Sequence, residues 1–127
     1  MTMFAHARVE AVVPTTSLKR ARSFYEDRVG LEPDESHDAN SEVAYAVGDG
    51  SRIVVYELGQ VLAPAHTVAH LVVADVEAAV AELRGRGVPF EEYDLPTLRT
   101  VDGIATVGGS RFAWFKDPDL NLIAIHD

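Results

Sequence analysis

Five histidines, four tyrosines, five phenylalanines and a single tryptophan are among the groups that could do chemistry in this 127-residue chain. It has no cysteine, which removes disulfides, thiolate metal sites, iron–sulfur clusters and a thiol nucleophile. No serine stands in a G-x-S-x-G turn, so a nucleophilic hydrolase of that kind has no support. Imidazoles, carboxylates and rings remain. Alternation from Arg52 to Leu58 puts Val54 and Tyr56 on one face of a strand, and Phe112 shares a face with Trp114 in the same way. Tyr45 and Trp114 occupy corresponding places in two halves of the chain, each following an alanine, Ala44 or Ala113. Such rings around an apolar concavity suit a planar or aromatic ligand, and they suit ordinary core or interface packing equally well. His70 lies in an extended run, either as a core histidine bonded to a carbonyl or as a functional group. His66 and His126 are expected to be solvated, and His6 and His37 to be terminal and loop residues. The stretch from Tyr93 to Ser110 carries Asp94, Arg99 and Asp102, with Gly103, Gly108 and Gly109 to loosen it. It is long enough for a binding loop or lid, while Ile104 to Val107 also fits a short strand.

The elements that must position these residues come in two copies. From Thr16 to Tyr25 the sequence reads as a helix opening on a hydroxyl cap, with Leu18, Ala21, Tyr25 and Val29 on one face and Gly30 as its stop. Asp75 caps a second helix with Val76, Ala79, Val80 and Leu83 inward, stopped by Gly85-Arg86-Gly87. The two are displaced by 58 positions, 17 to 75 and 18 to 76. A β-type run precedes each helix, Arg8 to Val13 and Thr67 to Val73. Further extended runs follow: Glu42 to Val47, a hairpin turn at Asp49-Gly50, and Arg52 to Leu58 in the first half. The second half has Val88 to Tyr93, Arg111 to Lys116, a turn at Asp117-Pro118-Asp119, and Asn121 to His126. The expected class is α+β: one domain over residues 1–127, made of βαβββ units at 1–60 and 66–127 with Gly59 to His66 as linker. One such unit leaves a sheet face bare, and two can enclose a concavity.

Composition bounds the rest. A net charge of −9 argues against a nucleic-acid partner, which needs clustered Lys and Arg, and the pair Arg84 and Arg86 is better explained as solvated charge at a helix end. No run approaches the roughly 18 apolar residues of a membrane span, and the opening MTMFAHARVEAVV does not read as a signal peptide. A cytoplasmic protein without membrane contact is expected.

Pro14-Thr15-Thr16-Ser17-Leu18-Lys19-Arg20-Ala21, with Phe24-Tyr25-Glu26 and Val29-Gly30-Leu31, resembles the opening motif of the glyoxalase/bleomycin-resistance/extradiol dioxygenase (vicinal oxygen chelate) superfamily. Ala113-Trp114-Phe115-Lys116-Asp117-Pro118-Asp119-Leu120-Asn121 is similar to its F-x-D-P-D-G-N closing signature. The resemblance spans the chain and implies two βαβββ units forming an incomplete eight-stranded barrel around a central cup. One departure is Leu120 in place of the signature's glycine. That position often needs positive φ, so either the turn differs or it is strained.

Metalloenzymes resembling this chain hold a divalent ion with four side chains. Carried over residue by residue, the four places fall on Glu10, on Val54, on Val68 or (with a two-residue realignment) His70, and on Ala124. Glu10 is a competent ligand or a solvent-facing edge residue; valine and alanine donate nothing. The resemblance therefore implies a metal-free protein that binds a small aromatic or antibiotic-like molecule through Tyr45, Val54, Tyr56, His70, Tyr93, Arg99, Asp102, Phe112 and Trp114. No cofactor is expected. The alternative is a lyase, isomerase or dioxygenase-like enzyme using a divalent ion at Glu10 and His70, where the ion would polarise a carbonyl. A homodimer is expected in either case, because proteins of this kind pair.

Overall fold

A computed structural model of the chain describes residues 3–34, 41–48 and 50–127. His37 and Asp49 fall outside them. Strand β1 (Glu10–Thr15) leads into helix α1 (Leu18–Arg22), and then come β2 (Glu32–Pro33), β3 (Glu42–Val47) and β4 (Ser51–Glu57). The second half runs β5 (Thr67–Val72), α2 (Val76–Gly85), a small hairpin of β6 (Asp94–Leu95) and β7 (Leu98–Arg99), then β8 (Ala105–Val107), β9 (Ser110–Lys116) and β10 (Leu122–His126). The main sheets have four strands each, ordered β1-β4-β3-β2 and β5-β10-β9-β8, and they do not close into a barrel.

Local chemistry accounts for the helices. Ser17 and Asp75 are extended N-caps whose side chains accept from the backbone N–H groups of Arg20 and Ala78. The first helix does not stay α-helical as far as its Gly30 stop. It widens into a π-helical stretch over Ser23–Arg28 and closes with Val29 N–H donating to the Phe24 carbonyl at 3.0 Å. Phe24 and Tyr25, neighbours in this stretch, are both buried. Gly30 follows at φ +85°.

Two expectations need correction. Val88 to Tyr93 is not a strand: it makes a single bridge, Phe90 to Phe115, and the fourth strand of the second sheet is β8. Pro89 helps to explain this, since it removes a donor beside the bridge. The Tyr45–Trp114 correspondence is also displaced by one residue. Val54 pairs with Ala44 in the first sheet and Ala124 with Trp114 in the second, so Trp114 matches Ala44. A one-residue slip moves a side chain to the opposite face, and Tyr45 and Trp114 indeed lie on opposite kinds of face.

One apolar cluster joins the halves. Val13, Val43, Tyr45, Ile53 and Val55 from the first sheet meet Phe115, Ile123 and Ile125 from the second, with Phe24, Tyr25 and Leu83 from the helical segments between. The opposite face of each sheet stays outside this cluster. In the first sheet that outer face carries Glu10, Val12, Arg52, Val54 and Tyr56; in the second it carries His70, Val72, Phe112, Trp114, Ala124 and His126.

Polar contacts tie the halves as well. The Tyr25 hydroxyl donates to Asp117 Oδ2 at 2.7 Å, and Asn121 Nδ2 donates to the same oxygen and to the Pro14 carbonyl, each at 2.9 Å. Asp117 Oδ1 accepts from the backbone N–H groups of Asp119 and Asn121. Asp119 in turn receives Thr15, Thr16 and Arg20. At the other end of the helices the contact is reciprocal: Arg28 donates to the Gly87 carbonyl at 2.8 Å, and the Arg86 guanidinium lies against Gly30.

Candidate functional site

Alternation along β9 and β10 brings a row of rings to the outer face of the second sheet. Phe112 and Trp114 stack at 5.7 Å with 17° between planes, and His126 stacks on Phe112 at 4.6 Å and 22°. Perpendicular rings sit at both ends. Tyr93 meets Trp114 edge-on at 5.5 Å, and His70 meets His126 at 4.9 Å and Phe112 at 6.0 Å. Ala105, Trp114 and Ala124 form the buried floor, with Leu98 and Leu122 packed beside it. Four of the expected binding residues, His70, Tyr93, Phe112 and Trp114, are therefore together.

His126 joins them although it was expected to be solvated. The signal was in the sequence: it follows Ala124 by two positions and so shares that residue's face. Its Nδ1 lies 2.9 Å from the Asp127 carbonyl, which leaves Nε2 for an incoming group when Nδ1 carries the proton. Burial, with Glu91 nearby, raises the Tyr93 hydroxyl pKa, and Lys116 partly offsets this. The phenol therefore stays protonated and available as a donor.

The other expected residues go elsewhere. Tyr45 is fully buried on the helix side of the first sheet, and its hydroxyl donates to Glu26 Oε2 at 2.8 Å. Burial, then that bond, pushes its pKa well up. Val54 and Tyr56 lie on the outer face of the first sheet, beside Glu10 and Arg52. Arg99 pairs with Asp94 at 3.2 Å on the exposed hairpin. Asp102 sits at φ +52°, with its carbonyl held by Arg84 at 3.0 Å. It lines a groove of about 490 Å³ against α2, away from the rings.

The positions carried over as metal ligands are also fixed by register. Glu10 stands level with Arg52 and Val12 with Val54, while His70 stands level with Ala124. His70 is thus the counterpart of Val12, and Val68 that of Glu10, so the two donors occupy different rungs. The Glu10 carboxylate meets Arg52 Nε at 3.2 Å. Among the described residues no three of His, Asp or Glu gather as a metal ion would need. Val54 and Ala124 offer no donor atom, so of the four places only Glu10 and His70 could ligate an ion.

The family model of the Glyoxalase/Bleomycin resistance protein/Dioxygenase superfamily matches residues 5–125. A search of curated proteins finds no relative by sequence. Among solved structures, TnmS3, an antibiotic binding protein from Streptomyces sp. CB03234, superposes with a TM-score of 0.66 at 23% identity, covering 98% of this chain and 97% of that one. A glyoxalase/bleomycin resistance protein from the same Streptomyces gives 0.67 at 23% identity, covering 95% and 100%. A putative glyoxalase family protein from Bacillus anthracis gives 0.73 at 14% identity, covering 99% and 98%. The paired sheets, the closing turn and the family match together make this chain a member of the glyoxalase/bleomycin resistance protein/dioxygenase superfamily.

Proposed function

We propose that this protein binds a small planar molecule, aromatic or antibiotic-like, on the ring-lined face of its second sheet and holds it without chemical change. The observation that carries the reading is the row His126, Phe112 and Trp114, near-parallel and bounded edge-on by His70 and Tyr93. A flat ligand gains apolar burial there and about 0.5–1.5 kcal/mol for each well-placed aromatic pair. Rings already packed against one another lose little freedom on binding, so more of that gain is kept as affinity. One solved structure with this fold is described as antibiotic binding, and that description lends support by analogy of fold.

The enzyme reading, with a divalent ion at Glu10 and His70, draws less support. Two of its four positions are aliphatic, and the Glu10 carboxylate already meets a guanidinium. We further propose that the chain pairs with a second copy of itself, and that the protein works in the cytoplasm. No helix among the described residues is long and apolar enough to cross a membrane.

Trp114 is the only tryptophan, so its emission reports this face alone. Chelator-treated protein titrated with daunorubicin, a planar polycyclic antibiotic, and with 1-anilinonaphthalene-8-sulfonate should show saturable quenching. Absence of quenching with both probes refutes the binding reading. Stoichiometric zinc, nickel, manganese or iron in protein purified without chelator, lost in Glu10→Ala, overturns the metal-free binding reading. Sedimentation of the purified chain tests the dimer, and a monomer at micromolar concentration sinks it.

A further inference from the structure

We infer that Leu120 is a specificity-determining residue, kept in a strained turn because its side chain forms the apolar lip of the ring-lined face and touches the ligand. This rests on the binding reading above. Leu120 has φ +67°, in the left-handed region that glycine enters freely and a side-chain-bearing residue does not. Nothing in the turn calls for a leucine. The turn is held by Leu120 N–H on the Asp117 carbonyl at 2.9 Å and by Asp119 and Asn121 N–H on Asp117 Oδ1. All of these bonds survive with glycine. Nor does the chain's own core offset the strain, since the residue is 57% exposed.

What the side chain does have is a place. With Pro64, Tyr93, Lys116 and Leu122 it lines a recess of about 240 Å³. Tyr93 and Leu122 are also packed against the Trp114 cluster, so the recess is the outer end of the same face. Lys116 at its rim is paired with Glu91 at 3.1 Å, which leaves the Tyr93 hydroxyl and the apolar contact of Pro64, Leu120 and Leu122 as what the recess offers. Backbone strain at an exposed residue beside a binding surface is the pattern expected when local stability is given up for recognition. The ligand class follows: a flat molecule long enough to lie on Trp114 and extend an apolar edge past Tyr93 to Leu120.

The test compares the unaltered chain with Leu120→Gly and Leu120→Ala by Trp114 quenching with daunorubicin and 1-anilinonaphthalene-8-sulfonate, by thermal melting and by sedimentation. Both variants should bind at least one probe roughly tenfold more weakly, the loss expected when a leucine contact of some tens of square ångströms is removed. Leu120→Gly should melt at or above the unaltered chain. Affinities within twofold for both variants overturn the assignment while the binding reading stands. A lower melting temperature for Leu120→Gly also overturns it, because the leucine is then structural. A change in sedimentation with unchanged affinity assigns the side chain to a subunit contact and does the same. If the unaltered chain quenches with neither probe, the binding reading falls and takes this assignment with it.

Discussion

Replacing Tyr25 with phenylalanine removes one oxygen from the junction between the halves and leaves the ring in place. Tyr25 is 1% exposed and its ring packs on Phe24 at 5.2 Å and Tyr45 at 5.9 Å, contacts that phenylalanine keeps. What is lost is the 2.7 Å bond to Asp117. A hydrogen bond to a charged acceptor contributes about 1.5–3 kcal/mol. Asp117 retains donors from Asp119 N–H, Asn121 N–H and Asn121 Nδ2, so it is not stranded, and the lower half of that range applies. The expected loss is about 2 kcal/mol, or roughly 6–10 °C in Tm for a domain of this size. Urea unfolding followed by Trp114 emission measures it, with the slope against denaturant unchanged. Asp117→Asn should cost more, because it replaces a four-donor acceptor with an amide that has a single acceptor oxygen. A Tyr25→Phe loss below about 0.5 kcal/mol, or one equal to that of Asp117→Asn, would refute the view that this bond fastens the halves.

Asp119 gives a pH dependence of known sign. Burial alone would raise its pKa, but hydrogen bonds from Thr15 and Thr16 and the Arg20 guanidinium outweigh burial and hold it below the usual range. A carboxyl depressed on folding adds stability above its unfolded pKa and loses it as pH falls through the folded value. The acid limb of a stability–pH curve, from about pH 4 downward, should therefore be shallower in Asp119→Asn, and an unchanged limb counts against the network. Gly30→Ala should destabilise by about 1–2 kcal/mol, since φ is +85° and a Cβ would displace the Arg86 guanidinium; calorimetry showing no change would mean that the turn can relax.

Much of this was legible in the sequence, for local reasons. Ser17 and Asp75 announce their helices because a capping side chain acts within three residues. The Gly30 stop is equally local, and the closing turn survives with leucine at φ +67°. What was not legible depended on partners far along the chain. The side on which Tyr45 falls is decided by its pairing with Ile53, and a slip of one residue reverses it. Asp117 was legible as a turn residue and not as a buried acceptor, because Tyr25 lies 92 positions away. His126 has the surroundings of a solvated side chain in the sequence alone, and β10 sets it beside Phe112. The π-helical widening at Ser23–Arg28 leaves no mark in an apolar pattern that α-helical spacing also satisfies.

The crossed contact at the helix ends has a consequence for how such a chain could arise and be taken apart. Arg28 reaches Gly87, and Arg86 covers Gly30: each half supplies one grip and one backbone seat, in the same order. That is the form of an isologous interface, in which a single surface is complementary to itself. A polypeptide holding only one half would carry both sides of the contact and could meet its twin across a twofold axis. The tether Gly59 to His66 then contributes chiefly local concentration, replacing an encounter between molecules with one inside a single chain. Two half-length fragments expressed together should accordingly find each other, and either alone should self-associate through the same arginine.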